Sequence, residues 1–322
     1  MKTKPQQIVF FGAPGTGKSY NINARLSSEK QFRVMIHPEY SYSDFVGQLL
    51  PTVDDDGSMT FSFVPGPFTK ALAYAFEFRD QEVVLILEEL SRGNVASIFG
   101  DLFQLLDRQD ETGNSAYPIH NSQIASCLPE IEENVAAHAP ENIFLPANLS
   151  IFATVNTSDQ NVMPMDTAFK RRFDWKYVST DPITYHDDRS RYLNNPVVYL
   201  RRKSGDIKST WVDLYQNINR YILSGKSPLG VNEDKQVGQF FIKFDLETIE
   251  GTKRGDKEAI GQVNKQINNK LLMYLWEDVE GRNGIGRSGA DRLFVSDISS
   301  YGKLIADAGV RQVFSDYFLD YF

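Results

Sequence analysis

The chain has 322 residues, 41% of them hydrophobic and 24% charged, with a formal net charge of −8 at pH 7. That length allows a large core and one or two domains, and no apolar stretch is long enough to span a bilayer. One cysteine, Cys127, excludes an internal disulfide, four scattered histidines give no zinc-like cluster, and the acidic balance argues against a subunit that lives on duplex DNA through its own field. Met1-Lys2-Thr3-Lys4-Pro5 lacks the apolar segment of a secretion signal, so the cytoplasm is the expected location.

The first element is an apolar strand, Ile8–Phe11, followed by Gly12-Ala13-Pro14-Gly15-Thr16-Gly17-Lys18-Ser19 and the start of a helix. This is the context a phosphate-binding loop requires. Glycines let the backbone curl so that successive N–H groups face phosphate oxygens, and the following helix adds the positive end of its dipole. Lys18 reaches the outer phosphates and the Ser19 hydroxyl can ligate Mg²⁺. The nucleotide-binding set is Ala13, Pro14, Gly15, Thr16, Gly17, Lys18, Ser19 and Tyr20. The chain is therefore expected to bind a nucleoside triphosphate.

Further short apolar strands are predicted at Phe32–Ile36, Val83–Leu87, Leu149–Thr154 and Phe173–Tyr177, alternating with helical patterns over the first 178 or so residues. Such alternation predicts an α/β fold with a parallel five-stranded sheet flanked by helices. Between Leu50 and Pro67, the Asp54-Asp55-Asp56-Gly57 turn and the alternating Met59, Phe61 and Phe63 predict a β-hairpin, and Pro67 opens a helix. Asn94 caps a helix whose stripe is Val95, Ile98, Phe99, Leu102 and Leu106. Residues from about 109 to 142 read as an irregular insertion. After about Thr180 helices dominate. Trp211, Leu214, Ile218 and Ile222 share a face that ends at Gly225, and Ile260, Val263, Ile267, Leu271 and Leu275 form a second stripe. Gly251–Lys257 and Asp278–Gly289 read as loops. The expected division is 1–180 for the nucleotide-binding domain and 181–322 for a mainly helical one.

Hydrolysis needs a metal-holding acid and a group that activates water. Val83-Val84-Leu85-Ile86-Leu87-Glu88-Glu89 supplies two adjacent carboxylates at the end of a buried strand. Glu88 would hold Mg²⁺ through water and Glu89 would polarise the attacking water. Asp is the commoner choice on the metal side. Asn156 ends a neighbouring strand, either to orient that water and touch the γ-phosphate or simply to terminate the strand. Arg171 and Arg172 lie at a helix-to-strand junction, where they serve a neighbouring subunit's site or make surface ion pairs. Lys170-Arg171-Arg172 and Arg201-Arg202-Lys203 read as solvated faces or intersubunit contacts before a DNA footprint.

Together these residues resemble an AAA+ module, and their details are similar to the McrB-type branch, the NTPase subunits of modification-dependent restriction systems. The resemblance rests on His37–Val46, Pro65-Gly66-Pro67-Phe68, Glu88–Asn94, Phe169–Phe173 and Val237-Gly238-Gln239-Phe240-Phe241 followed by Leu271–Val279. The most specific segment is Val155-Asn156-Thr157-Ser158-Asp159, which fits the branch's Met-Asn-x-x-Asp signature with Val in place of Met. The resemblance implies a lid domain after the sheet and a hexameric ring with nucleotide at each subunit interface. Arg171 or Arg172 would reach into the neighbour's site, Asn156 would be the sensor, and Asp159 would order the same interface. It also implies an McrC-like partner that carries or recruits a nuclease, in defence against foreign DNA. Family members carry an N-terminal DNA-recognition domain. With the phosphate loop at residue 12, that domain is expected either on another polypeptide or to have been cut away, and DNA is expected to be met through the complex. The nucleotide is GTP or ATP, with a slight lean to GTP. A protein-remodelling AAA+ ATPase and a nucleotide-gated scaffold with little turnover are the alternatives.

Overall fold

The computed structural model describes residues 4–26, 29–53, 57–129, 141–156, 163–185, 188, 191–224, 232–280 and 291–322. Backbone contacts divide the chain into two units, Met1–Phe11 with Lys18–Tyr177, and Gly12–Gly17 with Val178–Phe322.

In chain order, the first unit contains β1 (Gln7–Gly12, up to Phe11), β2 (Lys30–Met35), the hairpin β3 (Gly47–Val53) and β4 (Met59–Pro65), and β5 (Val83–Glu88). There follow the short pair β6 (Ile119–His120) and β7 (Asn142–Ile143), then β8 (Leu149–Asn156) and β9 (Asp174–Tyr177). Five of them form one sheet in the order β2-β5-β8-β1-β9. The pairings of β2 with β5, β5 with β8 and β1 with β9 are parallel. These are the five strands that the apolar runs predict. β5 is buried at every position, as a central strand covered on both faces must be. Because β5 and β8 are parallel neighbours, Glu88 and Asn156 end on the same edge of the sheet. In open α/β sheets that carboxyl edge is where ligands bind.

The flanking helices are α1 (Lys18–Arg25), α2 (Tyr42–Val46), α3 (Pro67–Glu77), α4 (Val95–Phe99), α5 (Ser122–Ala125) and α6 (Thr167–Lys170). Pro67 stands in the first turn of α3, where its missing N–H costs nothing. Asn94 caps α4 by accepting the Ser97 N–H at 3.2 Å. The helix expected through Leu106 is broken, however. Gly100 adopts φ +51°, and residues Gly100–Leu106 continue as tight three-residue turns. The apolar stripe survives because a 3₁₀ turn still returns every third side chain to one face, so Leu102, Leu105 and Leu106 remain buried. The insertion is anchored by Arg108, whose guanidinium donates to Gln7 Oε1 and to the carbonyls of Gly113, Leu145, Pro146 and Leu149 at 2.8–3.1 Å.

The second unit contains the hairpin β10 (Val197–Leu200) and β11 (Ile207–Thr210), then α7 (Trp211–Leu223), α8 (Leu246–Arg254) and α9 (Lys257–Gln266). From α9 the chain passes through wide π-type turns at Ile267–Leu271 and Leu275–Glu280 on either side of α10 (Leu272–Tyr274). Short helices α11 (Tyr301–Asp307) and α12 (Asp316–Leu319) complete it. Both apolar stripes read from the sequence lie on these helices, and Trp211, Leu214, Ile218, Ile222, Val263, Leu271 and Leu275 enter one core. Gly251–Arg254 is the last turn of α8 and not a loop. Gly251 packs on Ala259, and the turn comes at Gly255, left-handed at φ +79°. Asp278–Glu280 likewise belongs to a helix, while Gly225 and the glycines of 281–290 lie outside the described residues. Among the described residues no helix is long and apolar enough to cross a membrane.

Candidate functional site

The glycine loop turns at Gly15, where φ is +78° and a Cβ would stand 2.3 Å from the Phe241 nitrogen. No side chain fits there. Within the loop the Thr16 hydroxyl donates to the Ala13 carbonyl at 3.0 Å. The Gly238 N–H donates to the Pro14 carbonyl at 2.9 Å and the Phe240 N–H to the Gly15 carbonyl at 2.8 Å. In a trans peptide the C=O and the next N–H point in opposite directions. The N–H groups of Gly15 and Thr16 therefore project away from the Gly238–Phe240 backbone, giving two adjacent donors on one side, the geometry that receives an anion.

The segment behind the loop is itself clamped. The Gln239 carbonyl accepts from Trp211 Nε1 and Asn194 Nδ2, each at 2.7 Å, and the Gln239 side chain accepts from Ile183 N–H and donates to the Leu193 carbonyl. Asn219 pairs with both backbone groups of Val237 at 2.8 Å. The Val237–Phe241 run singled out in the sequence thus forms a fixed support for the loop.

The loop leads directly into α1, which begins with Lys18, buried, and Ser19. The Ser19 hydroxyl donates to Glu88 Oε2 at 3.1 Å. Glu88, 7% exposed, also accepts at Oε2 from the Thr154 hydroxyl at 2.6 Å and at Oε1 from the Arg33 guanidinium. Ser19 and Glu88 present a hydroxyl and a carboxylate, hard oxygen donors of the kind Mg²⁺ takes, and the pair is small enough to leave the rest of its shell to water and phosphate. The donor set fits that ion.

Glu89 points to different partners. Its backbone is left-handed, with φ 57°, an unusual conformation for a residue with a side chain. The Glu89 N–H donates to Thr154 Oγ1 at 3.0 Å, and its carboxylate Oε2 accepts from Asn156 Nδ2 at 2.6 Å. Arg92 Nε stands 3.4 Å from the same oxygen. The turn at Glu89 thus separates two sequence-adjacent carboxylates, one facing Ser19 and the other Asn156.

Tyr20, next along α1, is 56% exposed. Arg171 is exposed. Arg172 is engaged within the first unit. Its guanidinium forks onto Asp107 at 3.0 and 2.7 Å, donates to the Ala168 carbonyl at 2.9 Å, and lies 5.2 Å from the Phe103 ring centroid. Asp159 lies outside the described residues. Of the second basic cluster, Arg201 pairs with Asp206 and Arg202 with Asp316 and Asp320.

Two residues of the site escape the sequence reading. Thr154 is 3% exposed, and its hydroxyl donates to the Glu88 carboxylate and accepts from the Glu89 backbone N–H. Its signal was the period of two along β8, which places it on the face of Asn156. Arg33 gave a fainter one, the single cation in the apolar run Phe32–Ile36.

The description "AAA domain (dynein-related subfamily)" matches residues 7–173. The chain is 33% identical over 312 residues to the Type II restriction enzyme BsuMI component YdiS of Bacillus subtilis (strain 168), covering 88% of this chain and 82% of that one. It is 24% identical over 187 residues to the Type IV methyl-directed restriction enzyme EcoKMcrB subunit of Escherichia coli (strain K12), covering 56% of this chain and 36% of that subunit. The chain belongs to the AAA domain family, dynein-related subfamily, and is a nucleoside triphosphate phosphohydrolase of the McrB type.

Proposed function

We propose that the chain couples Mg²⁺-dependent hydrolysis of ATP or GTP to translocation or remodelling of DNA, as one subunit of a ring serving an McrC-like, nuclease-associated partner in restriction of foreign DNA. One observation carries the catalytic part: Glu88 is bonded to Ser19 while Glu89 is bonded to Asn156. That separation matches a metal-side acid and a water-side base. The likeness to two restriction-enzyme components supports the setting.

In this reading the loop amides and Lys18 hold the phosphates, and Ser19 with Glu88 holds Mg²⁺, which when bound neutralises charge on the β- and γ-phosphates. Glu89 takes the proton of the attacking water, and Asn156 keeps the Glu89 carboxylate and that water aligned. Arg171 is the better placed of the two arginines to serve a neighbouring subunit, since Arg172 is committed to Asp107 and Phe103. Asp159 is assigned to the same interface. The net charge of −8 favours contact with DNA through the complex, in the cytoplasm, over binding by this chain alone.

The test is phosphate release from ATP and GTP, side by side, with and without duplex DNA and the protein encoded by the adjacent gene. Stimulation by the partner together with DNA supports the proposal. Turnover that responds to an unfolded protein instead would move the chain to the protein-remodelling class, and negligible turnover under every condition would leave a scaffold.

A further inference from the structure

Glu88 carries one methylene more than the aspartate commoner at a metal-side acid, and its terminal χ torsion is intrinsically broad. Something must choose its orientation. Its two oxygens have different partners: Oε2 accepts from Ser19 and Thr154, and Oε1 accepts from Arg33. The other terminal nitrogen of Arg33 donates to Asn23 Oδ1 at 2.6 Å. Asn23 lies on α1, the same short helix whose first turn holds Ser19. One guanidinium therefore ties the helix that carries Ser19 to the strand end that carries Glu88. A planar fork with two donors spans two acceptors in a way a lysine ammonium does not.

We propose that Arg33, anchored by Asn23, is a positioning residue for the metal site. By holding Glu88 Oε1 it turns Oε2 toward Ser19, so that the pair meets Mg²⁺ already aligned. The inference rests on the nucleotide-site reading above and assigns a role to two side chains outside its motifs. The guanidinium also brings a positive charge near the ion's place, which opposes metal binding, so removing the charge would mix two effects of opposite sign. Charge-conserving substitutions separate them.

The experiment measures affinity for fluorescent, slowly hydrolysed ATP and GTP analogues in EDTA and in Mg²⁺, for wild type, Arg33→Lys and Asn23→Ala. The readout is the ratio of the two affinities, which does not require turnover. Outer-shell partners of metal ligands contribute roughly 10–100-fold to metal affinity, so the Mg²⁺ enhancement is expected to fall about tenfold in Arg33→Lys. A smaller fall in the same direction is expected in Asn23→Ala. Affinity in EDTA should stay unchanged in both. Asn23 is exposed on its helix, where alanine is well tolerated, so that variant folds even if the arginine variant does not. A wild-type enhancement that persists undiminished in both variants overturns the role of Arg33. A wild-type protein that binds neither analogue, or binds without Mg²⁺ enhancement, overturns the site reading and this role with it.

Discussion

Asn156 donates to Glu89 across 2.6 Å, joining the carboxyl ends of the neighbouring strands β8 and β5. The bond holds the carboxylate of Glu89, the left-handed residue between the end of β5 and the tight turn Leu90–Arg92. An amide in this place keeps the acid oriented while leaving its second oxygen for water. Replacing Asn156 with Ala is therefore expected to slow phosphate release by about 10²-fold while nucleotide affinity changes little. Parallel binding and turnover measurements check this.

Thr154 is the buried link between the two acids. In Thr154→Val the shape is kept but Glu89 N–H and Glu88 Oε2 each lose a partner. A stability loss of about 1–3 kcal/mol is expected, seen as a lower urea midpoint with an unchanged slope. Turnover should fall as well, because the Glu88 carboxylate and the Glu89 backbone lose their shared anchor together.

Gly238 touches the phosphate loop backbone: a Cβ there would stand 2.3 Å from the Thr16 nitrogen and 2.4 Å from the Gly15 carbonyl carbon. Backbone cannot yield as a flexible side chain does. Gly238→Ala is expected to cost about 2 kcal/mol and to weaken nucleotide binding. Gly261, inside α9, faces open space, so Gly261→Ala should instead stabilise by about 0.5–1 kcal/mol. Thermal unfolding of the two variants gives opposite shifts in Tm.

The paired arginines should separate cleanly. Arg172, with its side chain 12% exposed against Asp107, is structural, and Arg172→Ala should lose about 2 kcal/mol of stability. Arg171→Ala should leave stability within about 0.5 kcal/mol and slow turnover on the order of 10³-fold if it acts across a subunit interface. Mixing Arg171→Ala with Lys18→Ala subunits should restore part of the activity, since some interfaces then combine an intact loop with an intact arginine.

Much of this was legible in the chain. The five apolar runs, the Asn94 cap, Pro67 and the alternation of Met59, Phe61 and Phe63 each carry a local cause, and local causes can be read without a structure. Gly100 and Gly251 show where that reading stops. Each sits in a pattern that supports either a helix or a turn, and tertiary contact decides: Gly100 breaks the helix and Gly251 does not, because it packs on Ala259. In the site, the glycine loop and the acidic pair announce themselves through their residue types. Thr154 and Arg33 do not, since their roles come from partners 66 and 55 residues away in sequence. The support given to the loop by Gly238 and Phe240 is a backbone interaction, and side-chain chemistry leaves no trace of it.

Glu89 is assigned to the attacking water and not to nucleotide binding. The direct measurement is phosphate release from ATP and GTP by wild type and Glu89→Gln, beside calorimetric titration of both proteins with each nucleotide. Wild type is expected to turn over at least one nucleotide, and Glu89→Gln to bind it with similar affinity while releasing phosphate at least ~10²-fold more slowly. Wild-type turnover in Glu89→Gln, or a wild-type protein that binds neither nucleotide, would contradict that assignment.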